Sequence, residues 1–192
     1  MRQITLIRHA KTQDNVEKRF SGKIESSVIQ SVEEIQNRIL FALPKEELGK
    51  VFCSPSQRAL FTAKALTQDI TIVESIREID FGIFEGKTLE EIEKEYPKEF
   101  ELWSTGQDKY QFPQGEATLD FYKRVVDGFW QIVESSPEDK ITIFTHGGVI
   151  QCLISHLLVG SNQLFWNFKV ENCSLTRFNL YDKFAIFTKI NQ

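Results

Sequence analysis

Two of the chain's three histidines stand at the ends of apolar runs: His9 follows "ITLIR" and His146 follows "ITIFT". Such runs read as buried strands, and open α/β sheets bind ligands beyond the carboxyl ends of their strands. If the two strands are neighbours, both imidazoles meet in one cleft. Arg8 directly precedes His9, and Arg58 falls in the first turn of a helix that itself leaves a strand end. Guanidinium forks match phosphate oxygens, and a helix N-terminus adds positive field. Two arginines and two histidines about one point make a seat for a phosphoryl group. The same field favours neutral imidazole, which leaves a ring-nitrogen lone pair free for attack. Cleaving a phosphate ester also requires a proton for the leaving oxygen. "SIREIDFGIFEGKT" offers Glu78, Asp80 and Glu85, and spacing alone does not choose among them. His156, inside the apolar stretch "QCLISHLLVG", reads as a packed helix residue.

Hydrophobic periodicity outlines the elements that carry these side chains. "RQITLIR" is a first strand; Val28, Val32, Ile35, Ile39 and Leu43 then recur at helical spacing, and Pro44 ends that helix. "KVFCS" is a second strand. Ser54 as N-cap and Pro55 at the first helical position predict the next helix start. "ITIVES" is a third strand. Residues 77–114 differ in texture: a Thr88–Glu91 capping box opens a helical stretch broken at Pro97, and the polar loop "STGQDKYQFPQGEA" follows. This excursion is expected to form a small helical cap within one domain spanning residues 1–192. "TLDFYKRVVDGFWQIVES" is a long amphipathic helix, "KITIFT" a fourth strand and "GVIQCLISHLLVG" a buried helix. "SLTRFNL" and "KFAIFTKI" flank a short turn and read as antiparallel strands. The alternation predicts an α/β fold, a three-layer α/β/α sandwich with a mostly parallel central sheet and an antiparallel edge strand.

Composition removes several function classes. The 192 residues carry a net charge of −4, so no global field draws the protein to nucleic acid or anionic membrane. An anion site must be built locally. No apolar run reaches membrane-spanning length, and "MRQITLI" lacks the apolar core of a secretory signal. Cys53, Cys152 and Cys173 are odd in number, widely spaced, and make no ligand spacing with the histidines, which argues against disulfides and metal and for a reduced cytoplasmic protein. No P-loop or Gly-x-Gly-x-x-Gly pattern occurs. "CSPSQR" superficially suggests a cysteine phosphatase loop, but it is one residue short and Pro55 has no N–H for phosphate. Cys53 reads instead as a small buried hydrophobe.

"LIRHAKTQDN", "CSPSQRALFTA", "REIDFGIFEG", "PQGEATLDFYKRV" and "FTHGGVIQCL" occur in an order that resembles the histidine phosphatase superfamily, the phosphoglycerate mutase-like proteins. The resemblance spans nearly the whole chain and implies the phosphoglycerate mutase-like fold. It implies that His9 is the nucleophile that becomes phosphohistidine. Arg8, Arg58, His146 and Gly147 would hold the transferring group, with Asn15 as a further phosphate contact. Glu78 falls where the phosphatases carry their general acid. No metal or other cofactor is then needed, because arginine and histidine supply the charge. Two features depart from the family pattern: Ala10 and Lys11 stand where Gly and Glu are usual, and residues 23–36, "KIESSVIQSVEEIQ", replace a Pro-Leu-Thr element. The mutases carry more basic residues than the six found between Glu85 and Trp130 (Lys87, Lys94, Lys98, Lys109, Lys123 and Arg124), which favours a phosphatase. "FPQGEATLDFYKRV" and "FWNFKVENCSLTRFNL" look most like the α-ribazole phosphate phosphatases and their broad-specificity relatives. Phe81, Phe84 and Trp103 are expected to offer an apolar cap to organic phosphates. The expected activity is metal-independent hydrolysis of a small phosphate monoester, with α-ribazole 5′-phosphate a candidate. A mutase-type phosphoryl transferase and a phosphoryl-binding regulator without turnover are the alternatives. The expected partner is a small-molecule phosphate ester, with monomer and homodimer both open.

Overall fold

Strand β1, Arg2–Arg8, buries side chains on both faces, and the alternation along it sorts the protein into two apolar cores. Ile4 and Leu6 join Ile141, Ile143 and Phe178 on one face, while Ile7 joins Val51, Cys53, Phe144 and Leu175 on the other. The sheet is therefore the middle of three layers. The computed structural model describes residues 1–106 and 109–192. Positions 107–108 of the expected polar loop lie outside the described residues.

In chain order the elements are β1, α1 (Gln13–Glu17), α2 (Val32–Ala42), β2 (Lys50–Cys53), α3 (Gln57–Lys64), β3 (Thr71–Ile72), α4 (Leu89–Glu95), α5 (Pro97–Thr105), α6 (Thr118–Ser135), β4 (Lys140–Thr145), α7 (Gly147–Val159), β5 (Leu175–Tyr181) and β6 (Phe184–Lys189). The six strands lie in the order β3-β2-β4-β1-β5-β6. The pairings β3–β2, β2–β4 and β4–β1 are parallel, and β1–β5 and β5–β6 are antiparallel. The antiparallel edge is thus a two-stranded hairpin. Ile35 and Ile39 of α2 and Ala59 and Ala63 of α3 fill one core. Phe121, Val125, Phe129 and Ile132 of α6 and Val149, Ile150 and Leu153 of α7 fill the other. The cap helices α4 and α5 meet where Pro97 opens the second, and the Thr88–Glu91 capping box is formed.

The boundaries differ from the sequence reading in four places. α2 begins at Val32 because Ser31 and Glu34 form a capping box there. Val28 instead bridges to Thr12. α3 begins at Gln57 after Ser56, which releases Ser54 and Pro55 from the helix. The third strand shortens to Thr71–Ile72, since Glu74–Ile76 winds into a 3₁₀ turn. α1 has five residues and buries none of them, so it leaves no periodic signal.

Candidate active site

β1 and β4 pair in parallel with Arg8 opposite Thr145, so His9 and His146 leave the sheet side by side. The His9 N–H donates to the Thr145 carbonyl at 2.9 Å, and the two rings lie edge to face with centroids 5.3 Å apart. His9 Nδ1 sits 2.7 Å from the Ala10 carbonyl oxygen. A carbonyl only accepts, so Nδ1 carries the hydrogen and Nε2 keeps its lone pair. Burial first, then the Arg8 and Arg58 charges, holds the His9 pKa well below its ordinary value, and the ring is neutral at neutral pH. His146 is fully buried and depressed in the same sense, by burial, Arg58, His9 and Arg8. Its Nε2 lies 2.8 Å from Ser54 Oγ. Ser54 Oγ already accepts the Ser56 N–H at 3.4 Å. The Ser54 hydroxyl donates to Ser56 Oγ at 3.5 Å, and either ring nitrogen of His146 can carry the hydrogen.

Arg8 Nη1 donates to the Val170 carbonyl at 2.6 Å. Arg58 departs from the sequence expectation. It is buried, and its fork is spent on three carbonyls: Nη1 on Ile24 at 2.8 Å, Nη2 on Ser21 at 3.1 Å and Gly22 at 2.7 Å. The segment after Phe20 is therefore the seat of Arg58, and Glu25 completes it, 3.9 Å from Nη1 while accepting the Gln57 N–H at 3.1 Å. Of the five buried side-chain nitrogens without a hydrogen-bond partner among the described residues, three are Arg8 Nε, Arg58 Nε and His146 Nδ1. Both guanidiniums act electrostatically on His9 and His146 touches it. Buried polar atoms are nearly always satisfied, and an oxyanion beside His9 would satisfy these.

The three acidic candidates separate. Glu78 Oε2 accepts the Gly148 N–H at 2.9 Å, and Oε1 accepts the Ile79 N–H at 3.1 Å. Burial pushes its pKa up, against the pull of those two amides and of Arg58 and Arg8. A Cβ on residue 148 would come within 2.4 Å of Glu78 Oε1, so only glycine admits the carboxyl here. Asp80 accepts the Gly82 N–H at 3.0 Å and sits 3.4 Å from Lys23. Glu85 gathers the N–H groups of Gly22, Lys23 and Phe81 at 2.8–3.0 Å. Those two carboxylates organise turns, and only Glu78 reaches the cleft that holds His9.

That cleft, of about 870 Å³, has Arg8, His9, Asn15, Glu78 and Gly147 among its lining. Asn15 Oδ1 accepts from the Thr12 N–H at 3.2 Å and from Asn172 Nδ2 at 2.9 Å, so its own amide N–H₂ is free to donate. Of the three expected cap residues, Phe81 lines the cleft. Phe84 and Trp103 do not: they are buried in an aromatic cluster with Tyr110 and Phe112, and Phe20 and Trp166 take their place as apolar walls. Among the described residues no group of three or more His, Cys, Asp or Glu side chains is arranged to hold a metal ion. Cys53 is buried with its thiol pushed up to about 12, a protonated and inert sulfur.

The histidine phosphatase superfamily (branch 1) pattern matches residues 4–192. The chain belongs to the histidine phosphatase superfamily. It is accordingly a phosphatase. Phosphoserine phosphatase 1 of Hydrogenobacter thermophilus is 23% identical over 195 residues, covering 100% of this chain and 92% of that protein. The α-ribazole phosphatase structure from Shigella flexneri superposes with a TM-score of 0.83 at 25% identity, covering 99% of this chain and 96% of that one. An Entamoeba histolytica phosphoserine phosphatase solved with phosphoserine shares the fold at a TM-score of 0.86 and 22% identity, covering 100% of this chain and 98% of that one.

The departures of this histidine phosphatase from the usual motif have local explanations. Residue 10 is not among the left-handed residues, so an alanine methyl costs nothing in the backbone, and it packs against α3 in the second core. Lys11 stands exposed on the cleft rim. Three residues escaped the sequence reading: Ser54, taken for a helix cap; Gly148, read only as half of a Gly pair; and Asn172, whose Nδ2 donates to the His9 carbonyl at 3.0 Å. "FTHGG" signals the second; nothing local signals the third.

Proposed function

We propose that this phosphatase hydrolyses small organic phosphate monoesters without a metal, through a phosphohistidine on His9, within one domain spanning residues 1–192. The His9 Nε2 lone pair attacks phosphorus, the bond from phosphorus to the ester oxygen breaks, and Glu78 gives its proton to the departing alkoxide. The His9 Nδ1–H stays on the Ala10 carbonyl, which stabilises the charge developing on the ring. The Glu78 carboxylate then takes a proton from water as the water oxygen attacks phosphorus. The P–N bond breaks, phosphate leaves, and His9 and Glu78 return to their starting states. Arg8, the free Nε of Arg58, His146, the Asn15 amide and the Gly147 backbone hold the phosphoryl oxygens throughout, fixed charge and dipoles replacing what a cation supplies elsewhere. The observation that carries the reading is a neutral His9 with a free Nε2, flanked by three unpartnered buried nitrogens.

Phe20, Phe81 and Trp166 suit an organic leaving group, and the likeness to the Shigella flexneri enzyme keeps α-ribazole 5′-phosphate among the candidates. No helix among the described residues is long and apolar enough to cross a membrane, and we place the enzyme in the cytoplasm. The test is p-nitrophenyl phosphate hydrolysis with chelator present, alongside His9→Ala. Metal-independent turnover that disappears in the variant is expected. Residual turnover of a few per cent, or a strict need for added metal, overturns the route.

A further inference from the structure

The lining of the cleft runs against the charge of the molecule. The chain carries −4, yet the cleft presents Arg8, Lys11, Lys18, Arg19 and Lys169 against only Glu78 and Glu171. Pairing sorts these cations. Arg19 is held by Glu17 and Glu91, each at 2.7 Å, and Lys169 by Glu171 at 2.6 Å. Arg8 belongs to the phosphoryl seat. Lys11 and Lys18 remain: both are exposed, both line the cleft, and neither ammonium has an ion pair or hydrogen bond among the described residues.

Both lysines are anchored at the backbone. The Lys11 N–H donates to Gln30 Oε1 at 2.6 Å, and its carbonyl accepts the Ile29 N–H at 2.9 Å. Lys18 ends α1 in the left-handed conformation, with its N–H on the Asp14 carbonyl. Two backbone-tethered ammonium charges on long flexible stems, beside a phosphoryl seat, suit a second anion held by charge and not by a fixed fork. Resting on the phosphatase reading of this cleft, we propose that Lys11 and Lys18 form an anion subsite, and that preferred substrates carry a second anionic group, a carboxylate or a further phosphate, on the organic part of the ester. α-Ribazole 5′-phosphate has no such group and ranks below esters that do.

General attraction of phosphate esters by the same charges would help every substrate alike, so the discriminating quantity is a ratio. Calorimetric dissociation constants on the His9→Ala protein, which binds without turnover, are compared for glycerol 3-phosphate, 3-phosphoglycerate and glycerol 1,3-bisphosphate. The anionic ligands are expected to bind about fivefold to tenfold more tightly than glycerol 3-phosphate. Adding Lys11→Ala and Lys18→Ala should bring the ratio close to unity, Lys11→Arg with Lys18→Arg should retain it, and raised salt should shrink it. The larger gain of the two anionic ligands tells whether a carboxylate or a phosphate is held. Equal affinities in the lysine-bearing protein, or a ratio that survives the alanine pair, overturns the subsite. The two readings fail separately: wild-type hydrolysis of p-nitrophenyl phosphate with no affinity ratio removes only the subsite, and a ratio in a protein that hydrolyses no ester removes only the phosphohistidine route.

Discussion

Burial outweighs two backbone amides and two guanidiniums at Glu78 and raises its pKa above the ordinary carboxyl value. As the acid of the proposed route, it must be protonated when the ester breaks, so turnover should fall as pH rises through its folded pKa, which lies above the ordinary 4.5. An alkyl phosphate should show that descending limb in kcat/KM, and Glu78→Gln should lack it. The ionisation of the substrate itself is common to both proteins and cancels in the comparison. The loss in Glu78→Gln should be largest for poor leaving groups; equal losses on aryl and alkyl esters would move the acid elsewhere. Gly148→Ala tests the same group from behind. Its methyl would intrude to 2.4 Å from Glu78 Oε1, and displacing the carboxyl should cost about 10–100-fold on alkyl esters. Steady-state kinetics with a thermal melt distinguish this from unfolding.

At the scale of elements, the site depends on how α3 is fastened to the β1 strand end. Thr62 is buried in α3; its hydroxyl accepts the Ala10 N–H at 2.8 Å and donates to the Arg58 carbonyl at 2.7 Å. Thr62→Val keeps the shape and orphans the Ala10 amide, which should cost about 1–3 kcal/mol in denaturant unfolding. The Ala10 carbonyl orients His9, so kcat should fall with stability. Ser54, in the turn between β2 and α3, holds His146 rather than the helix. Ser54→Ala strips the buried Ser56 amide and His146 Nε2 of this partner, so it should cost about 1–3 kcal/mol in denaturant unfolding and lower kcat about tenfold. A fall in stability with full activity would return Ser54 to a purely structural role.

At the scale of the whole molecule, folding hides two neutral imidazoles. His9 and His146 have folded pKa values well below the ordinary 6.5. Below that value the unfolded chain binds protons that the native protein refuses, so unfolding free energy falls as pH drops. Glu78, raised in the native state, works in the opposite direction, with its contribution lost as pH rises above 4.5. The two histidines govern the window just below 6.5. Calorimetry should find the melting temperature falling between about pH 7 and pH 5, with a shallower fall in His9→Ala. An unchanged slope would mean that His9 protonates as easily folded as unfolded.

What the chain itself determined is whatever rests on near neighbours. Alternation along β1 and β4, helical spacing in α2, α6 and α7, and the position of each histidine just past an apolar run are all local, so the layered fold, the strand-end site and the superfamily were legible. What tertiary structure decided depends on residues far apart. Spacing leaves Glu78, Asp80 and Glu85 equivalent; the resemblance favours Glu78, and its physical distinction comes from Gly148, 70 residues away. Ser54 changes from cap to partner through His146, 92 residues away, and Asn172 reaches His9 across 163. Phe84 and Trp103 look like any exposed cap aromatics until the aromatic cluster encloses them, and the fork of Arg58 looks free until the 21–24 carbonyls close on it. Periodicity encodes which face of an element is buried; it carries no information about which distant polar atom arrives to satisfy a hydrogen bond, and the chemistry of this site is made of those arrivals.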